Sequence, residues 1–277
     1  MVNQTPNSPE IYDWQKPKPP FQFGRVMNRS FSGLFKNIKP IMLVILLSLV
    51  VSSVLSAPVY FLDSTDPNAL LQSPIYWIVT GLSSIFGFLF FMFICVFTDH
   101  YAFAHFTNRS AEFRHVTLRS IKLTIPVIFI VVLYFISSYI GMIFLIVPGV
   151  IISVGWTVIG PAYLHEDTPL FGSFGRSWEL TRGYKWWVWL ATIVMGLIMT
   201  LVFAFAVALI SLTAYSGFTG SEISSAFTIG AFFMGLLMSL SIYLALALYA
   251  SFTTALYTEL RELKEGPLAE EMSAVFD

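Results

Sequence analysis

Long apolar runs without a charged side chain divide this chain and decide its solvent. A helix needs about 20 predominantly apolar residues to cross the hydrocarbon core of a bilayer. Runs of that length fall at 40–62, 74–98, 186–213 and 226–258. A further run at 123–164 is too long for one crossing and reads as a hairpin of two. None of these runs contains Asp, Glu, Lys, Arg or His. Only 11% of all residues are charged, against about 25% in soluble domains, too few to cover a surface facing water. The expected fold is an all-α polytopic transmembrane bundle of about six spans with amphipathic interfacial helices at its cytoplasmic face. The spans are expected near 40–62, 74–98, 122–146, 148–164, 186–213 and 226–258. They lie in a membrane domain over 21–266, between a disordered tail (1–20) and a C-terminal tail (267–277). A cleavable signal peptide would place its apolar segment nearer Met1, so the first run is expected to stay as an anchor.

The hairpin has two candidate breaks. Pro148-Gly149 is favoured, because Pro suits a helix start and Gly frees the backbone; Ser137-Ser138 to Gly141 is the other. Pro148 and Gly149 are also the candidate hinge.

The basic residues set the orientation. Lys16, Lys18, Arg25, Arg29, Lys36 and Lys39 precede the first span; Arg109, Arg114, Arg119 and Lys122 follow the second. Arg176, Arg182 and Lys185 follow the fourth, and Arg261 and Lys264 follow the sixth, which accounts for all fifteen. With six spans these segments share one face. The opposite connections carry only acids, Asp63, Asp66 and Glu222. The positive-inside rule makes the basic face cytoplasmic and places both termini there.

Aromatic-rich segments precede each pair of spans. Over 21–38, Phe23, Met27, Phe31, Leu34 and Ile38 recur at helical steps with Arg25, Arg29 and Lys36 largely opposite, the pattern of a basic helix lying in the interface. The segment 101–119 is less periodic. In the third, 169–185, Asp167 or Thr168 can cap, Pro169 suits the first turn and Gly183 can end the helix. Arg29-Ser30-Phe31 and Arg176-Ser177-Trp178 look alike. This suggests one unit of interfacial helix plus span pair used three times, although short basic-aromatic matches arise readily beside membranes. Arg25, Arg29, Lys36, Arg176, Trp178, Arg182 and Lys185 are the candidate contacts to anionic lipid or a protein partner. The partner could be a second copy of the chain; nucleic acid is not expected.

Few residues suggest chemistry. Asp99, His100 and His105 lie just past the second span, and His165 and Glu166 just past the fourth. A metal or acid–base site could be built from them, but no HExxH spacing occurs. The plainer reading makes them polar markers of helix exit. No phosphate-binding loop, nucleophile elbow or nucleotide signature is present, and no cofactor is expected. A multi-thiolate metal site is excluded, because Cys95 is the only cysteine. Gly141, Gly149, Gly155, Gly160 and Gly196 read as close-packing points between helices.

One stretch carries a resemblance. Leu145-Ile146-Val147-Pro148-Gly149 is followed by Pro161 and Glu166, then by Ser177-Trp178-Glu179-Leu180-Thr181-Arg182-Gly183. Over about 141–190 this resembles the membrane domain of bacterial glycerophosphoryl diester phosphodiesterases and related six-span proteins of unassigned function. The resemblance implies a bacterial inner-membrane location. It does not imply the hydrolase activity, which in that family belongs to a separate barrel of about 200 residues or more. The leading functional expectation is a non-catalytic module that binds lipid or docks a partner at the cytoplasmic face. A passage for a lipid-like substrate, with Pro148-Gly149 as its mobile break, comes second, and an enzyme at the cytoplasmic boundary third.

Overall fold

The structure, a computed structural model, describes residues 20–61, 73–166, 168–218 and 225–266. The expected tails and most of both acidic connections lie outside the described residues. Helices and their connections make up all of the described chain: α1 (Phe23–Lys36), α2 (Ile38–Phe61), α3 (Pro74–Phe106), α4 (Phe113–Phe144), α5 (Ile146–Gly155), α6 (Ile159–His165), α7 (Leu170–Thr181), α8 (Lys185–Phe218) and α9 (Ser225–Glu265). Six stretches are long and apolar enough to cross a membrane: α2, α3, α4, α5 with α6, α8 and α9. The chain is therefore an all-α polytopic bundle.

The longest helices overshoot the bilayer. The 33 residues of α3 reach roughly 50 Å at about 1.5 Å each, beyond a core of about 30 Å. The excess carries Asp99, His100 and His105, and the last turns of α9 carry Glu259, Glu262 and Glu265. Helix α9 is the mast of the fold, packed against α1, α2, α3 and α8. Near its charged end it presents the small residues Ala247, Ser251, Thr254 and Ala255, all fully buried, which let neighbouring backbones come close. Large side chains fill the space between them: Phe97, Ile41, Ile45, Phe252, Leu256, Tyr257 and Leu260.

The hairpin turns at Leu145, whose extended backbone separates α4 from α5. This is three residues before the expected Pro148. Pro148 instead occupies the first turn of α5, where its missing N–H costs no helical bond. Gly141 and Gly149 face each other across the turn. A Cβ on Gly149 would lie 2.6 Å from the Met142 nitrogen, and one on Gly141 3.0 Å from the Gly149 Cα. Pro148-Gly149 is thus a tight helix–helix contact. Two other glycines expected at such contacts are not: Gly160 and Gly196 have no atom within 4 Å of a built Cβ.

The fourth span is broken. Helix α5 ends at Gly155 and α6 starts at Ile159. Pro161 has no N–H to give the carbonyl of Thr157, so the ladder cannot run straight through. The second aromatic segment also departs from expectation. It forms no helix of its own, because its residues extend α3 to Phe106 and begin α4 at Phe113. The unit of short helix plus span pair is complete only in α1–α2–α3 and in α7–α8–α9.

Candidate functional site

Four chain segments meet at one end of the bundle, and carboxylates of α9 hold two of them. Glu259 has no exposed surface, although it is charged. Its Oε1 accepts bonds from Arg25 Nη2 at 2.7 Å and from the Gln22 backbone N–H at 3.2 Å. Its Oε2 lies 2.6 Å from Arg25 Nε and 3.7 Å from Arg29 Nη1. A carboxylate is thereby placed at the N-terminus of α1, where the helix dipole favours it. Arg29 Nη2 donates to Glu262 Oε1 at 2.9 Å. The hydrogen bond to Glu259 outweighs partial burial and raises the pKa of Arg25 above its ordinary value.

Helix α1 packs through small residues as well as through its apolar stripe, of which Leu34 is buried and Phe23, Met27 and Phe31 lie partly buried against the core. Val26, Ser30, Gly33 and Leu34 are its buried positions. A Cβ on Gly33 would lie 2.4 Å from Ser251 Oγ and 2.9 Å from the Phe106 ring. Ser251 Oγ donates to the Ser30 carbonyl at 2.7 Å. The expected interfacial helix is thus docked on protein, with Phe35 on its open side, 62% exposed.

Helix α7 closes over the broken span. The carbonyl of Gly155, at the end of α5, accepts the Ser177 hydroxyl at 3.0 Å and the Thr181 hydroxyl at 3.2 Å. Gly155 must lack a side chain there, because a Cβ would lie 2.4 Å from the Trp178 ring. Lys185 Nζ sits over the Trp178 ring, 3.2 Å from its centroid. Gly183 then ends the segment at φ +93°, a conformation glycine adopts without strain. Leu170, not Pro169, is the first helical residue, and no side chain caps α7; Asp167 lies outside the described residues.

Beside this clamp runs a polar chain. The Tyr257 hydroxyl donates to Glu166 Oε1 at 2.8 Å, and Arg176 Nε donates to Glu166 Oε2 at 2.6 Å. Arg176 also binds Glu265, which accepts from Arg261 at 2.9 Å. Burial works against the charge of Arg176, but its two glutamates more than offset this and raise its pKa. One layer away, His165 Nε2 and Asp99 Oδ1 are 2.6 Å apart. The His165 ring stacks on Phe103 and meets His100 edge-on. His100 Nδ1 bonds the Val96 carbonyl of its own helix at 2.8 Å. Asp99 and His100 are buried. His105 stands apart, beside Phe106. Among the described residues no group of three or more His, Cys, Asp or Glu is placed to hold a metal.

Asp99 also lines a cavity of about 290 Å³ between α3, α4, the broken span and α9. Its walls are mostly apolar, among them Phe91, Val131, Phe135, Trp156 and Leu246.

Of the seven candidate contacts, Arg25, Arg29 and Arg176 are committed to internal ion pairs, and Lys185 and Trp178 to each other. Lys36 and Arg182 are exposed. Sequence reasoning missed Glu259, Glu262 and Glu265; their three-residue spacing just past an apolar run was the available signal. No family model, curated protein or solved structure matches the chain.

Proposed function

We propose that the chain is a non-catalytic, multi-pass module of the bacterial inner membrane that binds anionic lipid headgroups with the charged end of its bundle. One observation carries the reading. The glutamates of α9 and Glu166 are engaged by Arg25, Arg29, Arg176 and Arg261. Lys36, Lys39, Arg114, Lys122 and Arg182 are exposed, and among the described residues none of these five has an ion-pair partner. Positive charge is therefore left over at the rim, where each cation near an anionic surface contributes about 1 kcal/mol. The same excess supports a cytoplasmic orientation for this end and for both termini. The non-catalytic reading is supported by the partners of the two buried imidazoles, a carboxylate and a backbone carbonyl rather than a hydroxyl or thiol nucleophile.

The test is native mass spectrometry of the chain released from bilayers of equal phosphatidylglycerol and phosphatidylcholine. Replacing Lys36, Lys39, Arg114, Lys122 and Arg182 with Gln should abolish the preference for phosphatidylglycerol. An unchanged preference would overturn the reading, and a stoichiometric protein lost with the five cations would favour partner docking.

A second reading, a passage for a lipid-like substrate, is favoured by the break between α5 and α6, which lines the cavity. Faster exchange of a fluorescent lipid between leaflets of proteoliposomes would support it.

A further inference from the structure

The cavity beneath the broken span has a polarity that its apolar walls conceal. Of its lining side chains only Asp99 is a carboxylate, and no lysine, arginine or histidine contributes to the wall. An anionic headgroup inside would meet a buried carboxylate and no cation. Two of the lining hydroxyls have their protons committed to their own helices. Thr157 Oγ1 donates to the Ser153 carbonyl at 3.0 Å, and Thr253 Oγ1 to the Ala250 carbonyl at 2.9 Å. Each therefore has only lone pairs to offer a guest. Asp99, an acceptor when ionised, is fixed by His165 at 2.6 Å. Beside the donors carried by Tyr134, Trp156 and Tyr249, the lining therefore offers a guest three acceptors, of which Asp99 alone is a carboxylate.

The cavity is partly open to the outside of the bundle. Phe135 and Tyr249 both line the cavity and are 50% and 38% exposed on the bundle surface. A volume of about 290 Å³ is at the small end of ligand pockets, too little for a two-chain lipid but suited to a single chain.

We propose that this cavity binds the single chain of an amphiphile with a hydrogen-bond-donating end, a long-chain alcohol or amine, seated against Asp99 and entered from the bilayer between α4 and α9. This inference goes beyond the headgroup reading and is independent of it: the five rim cations lie outside the cavity, so rim and cavity variants fail separately.

The test uses the full chain in phosphatidylcholine nanodiscs with three photoreactive dodecyl probes, an alcohol, an amine and a carboxylate. Crosslinks are mapped to Met92, which lines the cavity and is buried. The alcohol or the amine should label Met92 at least about tenfold more than the carboxylate. Excess unlabelled dodecanol or dodecylamine should displace it. D99N should weaken amine labelling more than alcohol labelling if the natural head is an ammonium, and both alike if it is a hydroxyl. Gly160 lines the cavity and has open space at its Cβ, so Gly160→Phe should fill the site and remove the Met92 crosslink. Equal labelling by the carboxylate, or a crosslink that survives Gly160→Phe, would overturn the proposal. Should Gly160→Phe not fold, the three-probe comparison on the unaltered chain decides alone.

Discussion

Helices α1 and α7 share an arginine–serine–aromatic triplet and do different work with it. In each, an arginine reaches a glutamate of α9, Arg29 to Glu262 and Arg176 to Glu265. In each, the next residue is a fully buried serine, Ser30 or Ser177. The aromatic third residue is where they part. Both aromatics are partly buried, but α1 gains its close approach from its own Gly33. Trp178 is itself the wedge, and the glycine that admits it, Gly155, belongs to the partner helix. The serines differ in the same sense. The Ser30 hydroxyl bonds back to Val26 in its own helix, whereas the Ser177 hydroxyl supplies a bond that the broken span lacks. Helix α1 docks on a continuous helix and needs only contact. Helix α7 docks on a discontinuity and must also satisfy it.

The largest expected effect falls on the α1 side. Replacing both Arg25 and Arg29 with Gln strands Glu259 as a buried carboxylate. It should lower stability by about 3–5 kcal/mol, read as a drop in unfolding midpoint in detergent; adding Glu259→Gln should recover much of the loss. Next come the glycines. Gly155→Ala drives a methyl into the Trp178 ring, which Lys185 covers, and should cost about 1–3 kcal/mol. Gly33→Ala meets Ser251 Oγ at 2.4 Å and the Phe106 ring at 2.9 Å, and turning Ser251 away would break its bond to the Ser30 carbonyl, so its cost should fall in the same range. A negligible cost at either site would remove that close approach from the account. The hydroxyls do differ. Ser177→Ala with Thr181→Ala removes the two hydroxyl donors of the Gly155 carbonyl and should cost about 1–3 kcal/mol. Ser30→Ala, losing only a bond within its own helix, should cost less, about 0.5–1 kcal/mol. The exposed rim cations should matter least: Gln at Lys36, Lys39, Arg114, Lys122 and Arg182 should each shift stability by no more than about 0.5 kcal/mol. Parallel midpoints for all of these variants place them on one scale.

How much of this was legible in the sequence follows from what each feature depends on. The spans were legible because lipid demands long apolar helices, and hydropathy records that demand residue by residue. The hairpin was legible to within three residues; Pro148 and Gly149 mark the place, but the chain turns at Leu145 while Gly149 serves packing. The docked face of α1 was legible only in part: its apolar stripe does pack on the core, but a search for apolar periodicity passes over Ser30 and Gly33, the residues small enough to admit another helix. The break after Gly155 was marked in the sequence only by Pro161, six residues on. Trp156 and Thr157 carry no breaking chemistry of their own, and the gap is completed by hydroxyls 22 and 26 residues downstream. The ion pairs were the least legible, since Arg25 and Glu259 are 234 positions apart. A glutamate after a final span looks like any solvated tail residue until the fold brings its partner.

The claim on which both halves of the comparison rest is that α9 holds α1 and α7 through specific arginine–glutamate pairs, not through general burial. Double-mutant cycles of unfolding free energy, one on Arg29 with Glu262 and one on Arg176 with Glu265, each using Gln, measure it most directly. Both pairs should show coupling of about 0.5–3 kcal/mol. Costs that simply add at both sites, with no coupling beyond error, would contradict it.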